Sequence, residues 1–184
     1  MLLEQSEPNE CEDEVETRSP TMNGGHHTMT PVRIVVAEDH AELREVLREQ
    51  FQLEPDIEVI GEARDGWEAI AAVGRLTPDI LTLDVDLPGL GGLDVLPVVR
   101  WYSPRTKVIM LSGRDDDETI REALRRGAQG YIVKGSGTDL CKAIRAVHRG
   151  EVWARRRVLA AVIDEMVRLA ALTFPSTESK PALA

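Results

Sequence analysis

Asp79-Ile80-Leu81-Thr82-Leu83-Asp84-Val85-Asp86-Leu87-Pro88-Gly89 is the stretch that decides the fold. An apolar run ends in a carboxylate and breaks at once into a Pro-Gly turn, as when a buried strand delivers Asp84 to the rim of a sheet. Three other stretches end the same way. Val32 to Ala37 is followed by Glu38-Asp39, Lys107 to Leu111 by Ser112, and Tyr131-Ile132-Val133 by Lys134. In open α/β sheets, chemistry collects at the carboxyl ends of the strands. Here those ends present carboxylates, a hydroxyl and an ammonium. Clustered carboxylates repel one another unless a cation sits among them, and hard oxygen ligands with room for water suit Mg2+. A lysine beside such a site implies an anion that the metal alone does not neutralise. The parsimonious anion is a phosphoryl group, with Asp84 as its nucleophile. Metal, Lys134 and Ser112 would then stabilise charge on the transferring group.

Outward from this stretch the pattern alternates. Strands are predicted at 32–37, 57–62, 79–84, 107–112 and 130–133. Helices are predicted at 40–52, 66–76, 92–101, 116–126 and 138–148. The first helix is read with Leu43, Val46, Leu47 and Phe51 on one face, and the second carries Trp67, Ile70, Ala71 and Leu76. Asp115-Asp116-Asp117 should cap the fourth. Pro97 should bend or shorten the third. Five β-α units with short loops imply an α/β fold, a parallel sheet covered on both faces. A further helix over 155–171 carries a wide apolar stripe, from Val158 to Ala170, that should be buried somewhere. The candidates are its own domain or a homodimer.

The bulk properties set limits. The chain has 184 residues, 42% of them hydrophobic, and a net charge of −10. That balance does not favour a nucleic-acid surface, so no DNA binding by this chain alone is expected. Arg155-Arg156-Arg157, without interleaved aromatics, is expected to be a solvated face. Residues 1–31 hold seven acids and one base, a net of −6. They are read as a disordered acidic tail. Residues 173–184 are read as a second disordered tail. Cys11 and Cys141 show no pairing or zinc spacing and are expected to be free thiols in a reducing cytoplasm. No apolar run is long enough to cross a membrane, and the N-terminus lacks a secretion signal, so a cytoplasmic location is expected.

The ordered set of strand-end residues resembles the receiver domain of two-component response regulators, over residues 32–150. The resemblance implies a flavodoxin-like (βα)5 fold with strand order 2-1-3-4-5. Asp84 would be the phospho-acceptor, and Glu38, Asp39, Asp84 and the backbone carbonyl of Asp86 would hold Mg2+. Ser112 and Tyr131 would be the switch pair and Lys134 the phosphoryl clamp. The family usually has a proline after that lysine. Gly135 stands here, so a trans bond and a looser loop are expected. Residues 143–153 resemble the segment that closes the receiver in the NarL/FixJ subfamily, so 151–172 is read as a linker helix. That subfamily normally continues into a helix-turn-helix, for which too few residues follow.

On this resemblance the partner is a sensor histidine kinase, and the product is a conformation that controls output, in the parent family transcription. Apart from phosphorylation and dephosphorylation of its own Asp84, no enzymatic turnover is expected. Two alternatives stand beside it. Asp84-Val85-Asp86 also fits the DxD of haloacid-dehalogenase-like phosphatases, although those place it on their first strand. A receiver-like interaction module that works without phosphorylation is the other.

Overall fold

The computed structural model describes residues 30–173. Most of both predicted tails, Cys11 among them, lies outside the described residues. β1 (Val32–Ala37), β2 (Ile57–Ala63), β3 (Ile80–Asp84), β4 (Lys107–Ser112) and β5 (Gly130–Val133) form one parallel sheet in the order β2-β1-β3-β4-β5. The helices between them are α1 (Ala41–Gln52), α2 (Gly66–Leu76), α3 (Gly92–Tyr102), α4 (Asp117–Arg125) and α5 (Leu140–His148), and α6 (Arg156–Thr173) follows.

Successive strand side chains point to opposite faces, and both faces are covered, so the strands read as continuous apolar runs rather than alternating ones. Ile34, Val36, Ile80, Ile109 and Ile132 pack against Phe51 of α1 and Ile144 of α5. Val35, Leu81, Leu83 and Met110 pack against Val73 of α2, Leu96 of α3 and Ile120 of α4. β1 therefore lies beside β3, which brings Glu38 and Asp84 onto neighbouring strand ends.

Several helix faces differ from expectation. Val46 is exposed, and Arg44 is buried instead. Its Nη1 donates to the Glu38 carbonyl at 2.7 Å and its Nε to Glu62 Oε2 at 3.1 Å. In α2 the inward residues are Gly66, Ala69, Ala72 and Val73, while Trp67 and Ala71 face outward. Small residues allow close approach there: a Cβ on Gly66 would lie 2.1 Å from the Leu90 carbonyl oxygen. Pro97 does not break α3, which runs unbroken from Gly92 to Tyr102. Proline deprives the carbonyl four residues earlier of its N–H partner. That carbonyl, on Leu93, accepts from Arg126 Nη1 at 3.2 Å. Asp116 caps α4 as expected, its Oδ1 accepting from the Thr119 N–H at 2.8 Å.

α6 lies against α4. Val158 and Val162 are buried there, and Glu165 Oε2 accepts from both Nη2 and Nε of Arg125, at 2.5 and 3.0 Å. The arginine run is largely solvated as expected, with Arg156 and Arg157 exposed, and two of its members are also paired: Arg155 bonds Asp115, and Arg157 Nη2 lies 2.9 Å from Asp117 Oδ1. Just before α6, the backbone of Trp153 runs parallel to β5. The Tyr131 N–H donates to its carbonyl at 2.8 Å, and its own N–H donates to Gln129 at 2.9 Å. Among the described residues, no helix is long and apolar enough to cross a membrane.

Candidate phosphoryl-acceptor site

The site is assembled by strand register. Ala37 pairs with Leu83 and Asp84 with Leu111, while Ser112 pairs with Val133. Glu38, Asp84, Ser112 and Lys134 therefore emerge at one height from four adjacent strands. The helix that follows β3 starts almost on top of Asp84. A Cβ on Gly92 would lie 1.9 Å from the Asp84 carbonyl oxygen, so only glycine fits.

Glu38 and Ser112 are fully buried and Asp84 nearly so, 3% exposed. Lys134 Nζ lies 2.7 Å from Asp84 Oδ2 and 2.7 Å from Glu38 Oε2, with hydrogen-bond geometry only to Asp84. Burial alone would lower the pKa of this ammonium. The hydrogen bond to Asp84, the contact with Glu38 and the charge of both outweigh it and raise the value. Lys134 is thus held charged between two carboxylates. The second Asp84 oxygen, Oδ1, accepts from the Asp86 N–H at 3.2 Å.

Sequence reasoning overlooked His40. Its ring Nδ1 lies 3.1 Å from Glu38 Oε1 and 2.8 Å from Asp39 Oδ1, and contact with Glu38, then the Asp39 charge, raises its pKa. Glu38, Asp39, His40 and Asp84 each offer one ligand atom, all within 4.8 Å of one another. Asp39 Oδ1 is buried and, although the His40 ring lies 2.8 Å away, accepts no well-formed hydrogen bond. A buried carboxylate oxygen so poorly satisfied, among further hard oxygen donors, fits a divalent cation of the Mg2+ kind. The Asp86 side chain does not join this cluster. It turns away to pair with Arg114, whose Nη2 lies 2.5 Å from Asp86 Oδ1.

Arg114 is the other residue that sequence reasoning missed. Its N–H donates to Ser112 Oγ at 2.9 Å, and its carbonyl accepts from the Tyr131 hydroxyl at 3.1 Å. One peptide segment therefore engages both predicted switch residues, while the guanidinium reaches across to Asp86. Tyr131 is already inside, 5% exposed, and burial pushes its phenol up against the opposing contact with Ser112. The signal lay in the expected strand order rather than in any local pattern. Asp86 and Arg114 each stand two residues beyond the ends of strands that prove to be neighbours. The Lys134–Gly135 bond is trans, with Gly135 at φ 76°.

The phosphatase alternative finds no support in this arrangement. Asp84-Val85-Asp86 follows the central strand rather than the first, and its second acid is engaged by Arg114.

Comparison with known proteins agrees with the geometry. The model of the response regulator receiver domain matches residues 34–145. The oxygen regulatory protein NreC of Staphylococcus epidermidis is 34% identical over 152 residues, 82% of this chain and 70% of that protein. NreC of Staphylococcus haemolyticus is 34% identical over 138 residues, 74% of this chain and 64% of that one. The chain thus spans about two thirds of the length of these relatives. Among solved structures, the receiver domain of NarL from Mycobacterium tuberculosis is 34% identical with a TM-score of 0.64, covering 66% of this chain and 99% of that one. A LuxR-family two-component regulator from Aurantimonas is 28% identical with a TM-score of 0.67, covering 75% and 99%. The chain belongs to the response regulator receiver domain family, close to the NarL- and NreC-type two-component regulators.

Proposed function

We propose that this receiver takes a phosphoryl group onto Asp84 from the phosphohistidine of a sensor kinase, and that its product is a change of conformation. The convergence of Lys134 on Asp84 and Glu38, beside the buried oxygen of Asp39, is the observation that carries this reading. A P–O bond to the Asp84 carboxylate forms as the donor's P–N bond breaks and imidazole leaves. Mg2+, held by Asp39, Asp84, the Asp86 carbonyl and, through water, Glu38, would neutralise charge on the phosphoryl oxygens when bound. Lys134 exchanges its bond to Asp84 for one to a phosphoryl oxygen. The Ser112 oxygen is an acceptor from Arg114, so its O–H remains available as a donor to another.

Drawing Ser112 toward the phosphoryl group pulls on the Arg114 peptide, and with it on the loop that opens α4. Tyr131 holds the same loop from within. Phosphorylation biases an equilibrium between two arrangements of this loop. α4 and the α6 that rests on it carry the shift outward. The output assigned is transcription regulation, through a segment or partner that bears a recognition helix. DNA binding is not assigned to this chain alone, given its net charge of −10.

Acetyl phosphate with Mg2+ should add one hydroxylamine-sensitive phosphate to the wild-type chain, read by intact mass. Chelating the metal should prevent it. Asp84→Asn, which keeps the shape and removes the nucleophile, should show none. Undiminished labelling of that variant would overturn the assignment.

A further inference from the structure

Arg44 is buried in the first turn of α1, and a buried guanidinium is costly unless its donors are met. They are met by the loop that carries the acid pair. Nη1 donates to the Glu38 carbonyl at 2.7 Å and to the Asp39 carbonyl at 3.5 Å. Nε donates to Glu62 Oε2 at 3.1 Å, so the charge is answered from the end of β2. The start of α1, the end of β2 and the loop after β1 therefore meet at one side chain.

The backbone decides where the side chains of that loop can point. Glu38 continues β1 by one residue, its N–H donating to the Ala63 carbonyl at 3.0 Å. Arg44 then takes hold of two carbonyls in succession. With those drawn toward α1, the carboxylates of Glu38 and Asp39 turn to the sheet edge, where their ligand atoms lie within 4.8 Å of that of Asp84. Like charges so close repel one another. Lys134 restrains Glu38, whereas the Asp39 side chain lies against the exposed ring of His40. What keeps Asp39 from swinging outward is the hold on its backbone.

We infer that Arg44 is a positioning residue for the cation site: by gripping the Glu38 and Asp39 carbonyls it sets the acid pair before the metal arrives. It acts through these two residues and not on the phosphoryl group. Ligands ordered in advance do not have to be ordered on binding, so the arginine works on metal affinity rather than on the chemical step. The inference rests on the proposed role of Glu38 and Asp39 in holding Mg2+.

Mg2+ titrations of the full chain, followed by amide chemical shifts and paired with acetyl phosphate labelling over a range of Mg2+, test it. Arg44→Ala should weaken Mg2+ binding about tenfold or more. Labelling lost at low Mg2+ should be recovered as Mg2+ is raised. Arg44→Lys, which keeps the charge without the fork of donors, should fall between Arg44→Ala and the wild type. Circular dichroism reports whether each variant is folded. If Arg44→Ala is not, Arg44→Lys and Glu62→Ala decide, since each loosens the guanidinium contacts and should weaken Mg2+ binding in the same direction. Folded variants that bind Mg2+ as the wild type does overturn the inference, and so does a labelling defect that no concentration of Mg2+ relieves. A wild type that binds no Mg2+ would instead overturn the proposed function on which it rests.

Discussion

At the carboxyl ends of the strands, carboxylates are buried; along the outer face of α6, aliphatic side chains are exposed. Each region holds groups in the surroundings they ordinarily avoid. At the sheet edge the misfit is electrostatic, with two acids at Glu38 and Asp84 sharing a single Lys134 and Asp39 keeping a buried oxygen without a well-formed hydrogen bond. On α6 the misfit is hydrophobic, with Ile163, Met166 and Val167 each more than half exposed. Local rules hold through most of the molecule and fail in these two places, where partners of different chemistry would relieve them. A cation and an anion suit the first. An apolar surface suits the second.

Removing the cation from the first region should have the largest effect. Lys134→Ala leaves Asp84 and Glu38 facing each other with no positive charge between them. It also deletes the clamp on the incoming phosphoryl group. Labelling by acetyl phosphate should slow about 100-fold or more. A rate equal to wild type would remove Lys134 from the site and leave α6 as the one functional misfit.

The two faces of α6 can be set against each other directly. Val158 is 1% exposed within the core, so Val158→Ala should cost about 1–3 kcal/mol. Ile163→Ala, measured where the chain is monomeric, should stay within about 0.5 kcal/mol. Urea midpoints at constant slope give both values. Equal losses would mean that the two faces are equally buried in the monomer.

The smallest expected effect is a control that lies in neither region. Arg145 joins α5 to the loop before β2, with Nε 2.7 Å from Asp56 Oδ2 and a further contact to Glu54. The hydrogen bond from Arg145 lowers the Asp56 pKa from 3.8 against a small desolvation penalty. A lowered acid adds stability above its unfolded value and loses it as pH falls through the folded one. The difference in melting temperature between wild type and Arg145→Ala should therefore be present at neutral pH and shrink below about pH 3.8. A gap that persisted there would mean that Arg145 acts by packing rather than by charge.

The sheet and the strand-end residues were legible because two simple signals coincide. The strands that carry the site, β1, β3, β4 and β5, are mostly apolar runs, and each stops at a polar residue. What stayed hidden needed knowledge of adjacency or of helix phase. Arg114 becomes part of the site only because β4 lies beside β3, and no local pattern states that. His40 looked like an ordinary residue at a helix start until its ring was placed between Glu38 and Asp39. Val46 and Trp67 were put on the wrong faces for a different reason. Apolar residues three and four apart can be assigned to either side of a short helix, and close packing chose the side with small residues in α2 and the side with Arg44 in α1. The apolar row on α6 was visible in the sequence. The division of that row into a docked and an open half depended on where α4 ends.

The short parallel run of Trp153 along β5 has a consequence for the solubility of the molecule. An open sheet has two raw edges, each a template for another chain to extend. Along one of them, Trp153 takes the Tyr131 N–H and gives its own to Gln129, so that edge is sealed from within. The other edge is β2, where the exposed Glu58 puts a charge in the way of an incoming strand and Glu62 is held by Arg44. Protease cleavage just before Trp153 would undo the first seal. The nicked receiver would be expected to self-associate edge to edge into β-rich aggregates, although none of its strand-end chemistry had been touched.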